Sequence, residues 1–205
     1  IKIIFICSPN NPTGNLINEN DIEIILKNFD GLVLIDEAYQ DFSNNVSWIN
    51  RLQEFKNLVV IKTLSKAYGM ADVRIGMLYA HAEIIQYLNT IKMPYNVNAH
   101  SQRLAAEALD KMELKNKFVD ELIQGRRYLE TALKEIKCVE NVYPSDANYI
   151  LIKVADANKM YQHLIQHKLI VRNRDNAPML KGCLRVSVGT KQENEQFIDA
   201  LKRYN

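Results

Sequence analysis

Lys66 has more chemistry within reach than any other residue of this 205-residue chain. It stands in the stretch KTLSKAYGMADVRIG, residues 62–76, directly after the apolar run NLVVI. A lysine taken alone is ordinarily a solvated surface charge. Here it follows two hydroxyls, Thr63 and Ser65, and precedes Arg74. If the segment stays extended, Thr63 and Ser65 share a face and address one ligand. The Arg74 guanidinium and nearby backbone N–H groups then complete a phosphate site, the arginine as its bidentate clamp. A lysine held beside such a site suits Schiff-base chemistry with an aldehyde-bearing phosphorylated cofactor.

Two other polar clusters supply matching groups. Asp36 closes the apolar run VLI, and a carboxylate at the mouth of a buried strand needs a cation or a donor as partner. Glu37 points the opposite way by strand alternation and reads as a structural or solvated charge. Tyr39 is either an amphipathic aromatic at a core edge or a donor. SPNNPTG, residues 8–14, is a turn by composition, and Asn11 within it can aim a side-chain amide into a strand-end crevice. One ligand accounts for the set: Asp36 at a pyridine nitrogen, Asn11 and Tyr39 at a phenolate oxygen, Thr63, Ser65 and Arg74 at a phosphate, and Lys66 at an aldehyde. Those are the groups that pyridoxal 5'-phosphate requires. Asp72 fits none of these roles and brings a negative charge close to the clamp.

The elements that must position these residues read as α/β. Residues 1–7, 31–35, 57–61 and 74–80 are short β-rich runs, and residues 19–29 and 48–55 are helical stretches. GLVLI and NLVVI are apolar on both faces, as in a largely parallel sheet covered by helices on both sides. Ligands of such sheets gather at the carboxyl ends of the strands, where all three polar clusters fall. From residue 81 the pattern turns helical, over residues 81–92, 98–110 and about 113–137. The remainder reads as a small α+β domain: strands in CVENVYP, NYILIKV, LIVRN and CLRVSVG, with helices over residues 157–168 and 193–204. The expected division is a large cofactor-binding domain over residues 1–112, a connecting helix over 113–137 and a small domain over 138–205.

Composition narrows the function classes. Twenty-six basic against 24 acidic residues give a net charge of +2, no field for a nucleic acid, so an anion site must be local. No apolar run has the length of a membrane helix. Three cysteines, Cys7, Cys138 and Cys183, show neither CxxC spacing nor a histidine cluster, so free thiols, no metal site and a cytoplasmic location are expected. The four histidines, Trp48 and the methionines read as structural. The start inside an apolar strand points to a missing upstream portion.

Taken in order, CSPNNPTGN, VLIDEAYQDF, TLSKAYGMADVRIG, MPYNVN, SDANYILIKV and LIVRNRDNAPMLKGCLRVSVGTKQEN resemble segments of the fold-type I pyridoxal-phosphate aminotransferases, most closely the histidinol-phosphate group. The resemblance covers the whole chain. It implies that Lys66 carries the cofactor and that Asp36, Asn11, Tyr39, Thr63, Ser65 and Arg74 bind it. Arg185, and Arg172 thirteen residues before it, would grip the substrate's anionic end. The implied reaction is transamination of L-histidinol phosphate with 2-oxoglutarate, giving imidazole-acetol phosphate and L-glutamate, a step of histidine biosynthesis. A homodimer is implied, with neither nucleic acid nor membrane as partner. Alternatives are a related aminotransferase for aromatic amino acids, a threonine-phosphate decarboxylase, or, from another class, a non-catalytic fragment. Between Lys66 and Arg74 the family often has a glycine-rich spacer, where this chain has Ala71, Asp72 and Val73. The family's upstream phosphate-cradling loop, ring-stacking aromatic and cross-dimer tyrosine have no counterpart here.

Overall fold

A computed structural model describes residues 1–204 and resolves the chain into two compact units. The first comprises residues 1–10 and 16–118, the second residues 11–15 and 119–205. In the first unit, strands β1 (Ile3–Cys7), β2 (Leu32–Asp36), β3 (Leu58–Thr63) and β4 (Gly76–Ala80) form a sheet in that order. The first two pairings are parallel and β3 pairs with β4 antiparallel, as expected of a largely parallel sheet.

Register assigns the sheet's two faces. Val33 and Ile35 of β2 and Leu58 and Val60 of β3 pack with Ile22 and Leu26 of helix α1 (Glu19–Asn28), and with Trp48 and Phe55. The opposite face carries Phe5, Leu34 and Val59 across three strands and ends on Asp36 and Thr63. Because β1, β2 and β3 run parallel, their carboxyl ends lie along one edge of the sheet.

Helix α1 starts where Asn18 accepts the Asn20 N–H, a side-chain cap for an otherwise orphaned donor. Its exit is held by the Asn57 amide, which donates to Leu26 O, Phe29 O and Gly31 O. Residues 48–55, expected as helical, form only a 3-10 turn over Trp48–Arg51. Arg51 explains the shortness: it pairs with Glu54 and Glu23 and lies 5.0 Å over the Trp48 ring, so side chains rather than a helical ladder fix the segment. Helices α2 (Ala82–Ile91) and α3 (Ala99–Leu109) follow, and Asn98 caps α3 by accepting the Ser101 N–H.

Helix α4 (Met112–Lys134) contains the boundary between the units, which falls after Phe118. In the second unit, β5 (Val139–Tyr143), β6 (Tyr149–Val154), β8 (Cys183–Ser187) and β7 (Arg172–Asn173) form an antiparallel sheet in that order. One face, with Ile150, Ile152, Leu184 and Val186, packs against α4, α5 (Ala157–Gln166) and α6 (Lys191–Lys202). Helix α6 opens on a capping box between Thr190 and Glu193. Only Arg172 and Asn173 of LIVRN join the sheet; Val171 packs into the core and Ile170 faces solvent.

Candidate functional site

The end of β3 builds the setting of Lys66. The Thr63 hydroxyl accepts the Ser65 N–H at 3.0 Å and donates to Ile75 O at 3.3 Å. Leu64 N–H also reaches Ile75 O, at 3.2 Å, which ties the Lys66 segment to the residue after Arg74. The strand ends at Thr63 and residues 64–68 form turns. This corrects the expectation of an extended segment in which Thr63 and Ser65 share a face. The Thr63 hydroxyl caps the turn, a local side-chain bond that competes with strand geometry, so the Ser65 hydroxyl is the one left for a ligand.

Lys66 is half-buried, and its Nζ lies 5.1 Å from the centre of the Tyr39 ring. No carboxylate pairs with this ammonium among the described residues. Tyr39 is buried, directly before a 3-10 turn over Gln40–Phe42. Asp36 closes β2 on the face opposite the α1 packing, and its Oδ1 accepts the Ala38 N–H at 2.9 Å. The donor it required is therefore a backbone amide; no cation pairs with it among the described residues.

Arg74 adopts φ 56°, the left-handed region that non-glycine residues rarely enter. Its Nη1 donates to Ala71 O at 2.9 Å, and the side chain is otherwise exposed. Asp72 is exposed and forms no ion pair with Arg74, so it does not neutralise the proposed clamp. The turn between Lys66 and Arg74 is closed by Gly69 N–H to Lys66 O and Met70 N–H to Leu64 O, each at 3.0 Å.

Glu37 is fully buried rather than solvated, accepting from Ser47 Oγ at 2.5 Å and from Trp48 N–H at 2.6 Å. Burial pushes its carboxyl above the ordinary range, against the pull of those two donors. Sequence reading missed a charge cluster nearby. Asp41 receives Lys62 Nζ at 3.3 Å and Lys115 Nζ at 2.9 Å. Burial raises the Asp41 carboxyl, but the two ammoniums outweigh it and hold the group below its ordinary value. Adjacency to Tyr39 and Thr63 was the available signal for Asp41 and Lys62; Lys115 lies too far along the chain to be noticed.

The other nominated residues gather in the second unit. Asn11 Oδ1 accepts from Arg185 Nη1 at 2.8 Å. The guanidinium of Arg185 lies 4.9 Å over the Tyr149 ring, a stacked contact that fixes its plane. Arg172 stands directly across the sheet from Arg185. Like charges in direct cross-strand register repel, and an anion between them relieves the repulsion. The turn carrying Asn11 is anchored in its own unit by Asp146 N–H to Gly14 O at 2.8 Å. Gly14 has φ 82°, and a Cβ there would collide with Ser145. Asn11 thus belongs to the second unit, where it is bonded to Arg185.

The four histidines take no part in either group. His163 bonds Ala200 O, His167 bonds His163 O, His100 approaches Arg103 and His81 faces Glu83. None of the three cysteines forms a disulfide among the described residues; Cys183 is buried and Cys7 and Cys138 are half-buried. Among the described residues there is no cluster able to hold a metal ion, and no helix is long and apolar enough to cross a membrane.

The profile of the family described as aminotransferase class I and II matches residues 1–201. The histidinol-phosphate aminotransferase of Flavobacterium psychrophilum is 52% identical over 201 residues, 98% of this chain and 58% of that protein. The chain thus spans under two thirds of that relative's length. Among solved structures, the histidinol-phosphate aminotransferase from Clostridium acetobutylicum matches with a TM-score of 0.91 at 23% identity, over 98% of this chain and 63% of that one. The enzyme of that name from Sinorhizobium meliloti, solved in complex with pyridoxal-5'-phosphate, matches with a TM-score of 0.86 at 20% identity, over 98% and 56% of the two chains.

Proposed function

Because the chain belongs to the class I and II aminotransferases, we propose that it forms part of a pyridoxal-phosphate-dependent transaminase acting on L-histidinol phosphate and 2-oxoglutarate. The products are imidazole-acetol phosphate and L-glutamate. The substrate assignment rests on the 52% identity to a histidinol-phosphate aminotransferase. The cofactor assignment is carried by one observation in the first unit. An amine, Lys66, lies against an aromatic ring, and among the described residues neither it nor the carboxylate Asp36 meets an opposite charge. A half-buried carboxylate without a counter-cation suits a protonated ring nitrogen, and an unpaired amine suits an aldehyde.

The donor set fits the cofactor. When bound, pyridoxal phosphate supplies an aldehyde for amines and a ring that accepts the electron pair released at the substrate's α-carbon. In this reading Lys66 Nζ would hold the cofactor at its aldehyde and would serve as the group that moves the proton at that carbon. Asp36 would accept a hydrogen bond from the ring nitrogen and keep its proton in place. Tyr39 would donate its hydroxyl to the phenolate oxygen. Asn11, whose Oδ1 is engaged by Arg185, offers its amide N–H groups as donors to the phenolate oxygen. The Ser65 hydroxyl and Arg74 guanidinium serve the phosphate, while Thr63 holds the turn that presents them. In the second unit, Arg185 and Arg172 grip the substrate's phosphate or carboxylate, Arg185 oriented by Asn11 and Tyr149. A homodimer and a cytoplasmic location belong to the same proposal.

Borohydride treatment in the presence of pyridoxal phosphate tests the cofactor reading. A stable pyridoxyl label is expected on Lys66 in preference to other lysines and absent from Lys66→Ala; label scattered over surface lysines refutes it. Turnover by a protein of the relatives' full length tests the substrate. Histidinol phosphate is expected to exceed phenylalanine and O-phosphothreonine in kcat/KM; a reversed order assigns one of the rival activities.

A further inference from the structure

The Tyr39 ring stands 5.1 Å from Lys66, yet the turn that presents it is weak by itself. A 3-10 turn of three residues, Gln40–Phe42, follows Tyr39, held by Phe42 N–H to Tyr39 O at 3.1 Å and Ser43 N–H to Gln40 O at 3.0 Å. Short 3-10 turns have poor hydrogen-bond geometry and do not fix a side chain unaided. Anchors on both sides supply the rigidity. Upstream, Glu37 is bonded to Ser47 and Trp48. Downstream, Phe42 is buried and Asp41 is clasped by Lys62 and Lys115.

The same three charges reach the Lys66 segment from both sides. Lys62 precedes Lys66 by four residues on β3. Lys115, in the first turns of α4, lies 5.7 Å over the ring of Tyr68, two residues beyond Lys66. The Tyr68 hydroxyl meets Met112 Sδ at 3.1 Å, a second tie to the start of α4. Side-chain exposures of 16% for Asp41, 18% for Lys62 and 11% for Lys115 put this cluster among the less solvated charges of the chain. Surface pairs contribute little, but removing the one carboxylate from a shielded cluster leaves two ammoniums facing each other without compensation.

We propose that Asp41, through Lys62 and Lys115, is a positioning residue that holds the Tyr39 ring against Lys66. It touches neither reacting atom; it clamps the turn bearing the ring to the segment bearing the amine. The inference rests on the proposed function in taking Lys66 as the cofactor-bearing amine, and it adds a support that acts through the scaffold.

The test compares the full chain with its Asp41→Asn, Asp41→Glu and Lys115→Gln variants, below the melting temperature of each. The probes are pyridoxal phosphate with borohydride, read as the fraction of pyridoxyl label on Lys66, and tetranitromethane, read as the nitration rate of Tyr39. Asp41→Asn is expected to lower the Lys66 fraction and raise Tyr39 nitration, each by about tenfold, a small part of what breaking a buried ion pair costs in stability. Asp41→Glu should restore most of both, and Lys115→Gln, which keeps the Asp41–Lys62 pair, should move both in the same direction by less. If Asp41→Asn lowers the melting temperature while both readouts stay within about twofold, Asp41 is an ordinary stabilising pair and the inference is overturned. If Asp41→Asn fails to fold, an unchanged Lys115→Gln overturns it equally. A wild-type chain that does not favour Lys66 defeats the cofactor reading, whereas the nitration comparison, which uses no cofactor, still decides whether the cluster positions Tyr39.

Discussion

Arg74 combines an unfavourable backbone with an exposed guanidinium, and those two properties can be separated experimentally. At φ 56° a glycine meets no Cβ penalty. Arg74→Gly is therefore expected to leave stability unchanged or raise it by about 0.5–1 kcal/mol. The same change removes the charge-assisted bonds proposed for the phosphate, about 1.5–3 kcal/mol, and so weakens pyridoxal phosphate by at least about tenfold. Titration with pyridoxal phosphate and with pyridoxal, which lacks the phosphate, reads this directly: only the first should weaken. Equal losses for both would show that Arg74 supports the loop and not the anion. In the second unit, Arg185→Lys keeps a charge but loses the planar fork that stacks on Tyr149 and bonds Asn11. The expected result in a protein of full length is a KM for the anionic substrate raised by about tenfold, with Lys66 labelling unaltered. An unchanged KM would release Arg185 from the substrate.

At the scale of elements, the buried Glu37 makes the β2 exit sensitive to pH. Its carboxyl is raised above 4.5 by burial, which outweighs the Ser47 and Trp48 donors and the nearby Lys62. The folded chain then binds this proton more tightly than the unfolded chain. The stability it contributes is complete below pH 4.5 and is lost as pH rises through the folded-state value. Glu37→Gln keeps both contacts, accepting from Trp48 N–H through Oε1 and donating to Ser47 through Nε2, and it removes the titration. Urea unfolding across this window should show the variant gaining on the wild type as pH rises; parallel curves would contradict the sign. Strands and helices of this unit were legible in sequence because GLVLI and NLVVI are apolar on both faces and residues 19–29 and 98–110 carry a helical pattern. Residues 48–55 were not, because Arg51 reaches Glu23, 28 positions back, and fixes the segment by side-chain bonds that no local pattern records. The residue types of the proposed site, Lys66, Asp36 and Arg74, were nominated in sequence. Its geometry was not legible: Thr63 spends its hydroxyl on its own turn, and Asn11 is held by Arg185, 174 positions away.

At the scale of the molecule, the sheet of the first unit is asymmetric. Helix α1, Trp48 and Phe55 seal one face, while on the other Phe5 is 70% and Ile3 45% exposed, and Leu78 of β4 faces solvent as well. Predominantly parallel strands are ordinarily buried on both faces, and among the described residues β1 is also an edge strand of this sheet. In these 205 residues taken alone, an edge of this kind beside an exposed apolar face favours self-association. Phe5→Lys puts a charge on that edge without entering the core formed by Val33, Ile35, Leu58 and Val60. Its unfolding free energy should therefore stay within about 0.5 kcal/mol of the wild type. Light scattering at raised concentration, and binding of an apolar dye, should both fall. Val60→Ala is the contrasting substitution, because Val60 lies fully buried under α1; it should cost stability by about 1–3 kcal/mol and leave dye binding to the native chain unchanged. If Phe5→Lys instead destabilises as much as Val60→Ala, the outer face is packed in solution and the asymmetry of the sheet does not govern how the chain behaves.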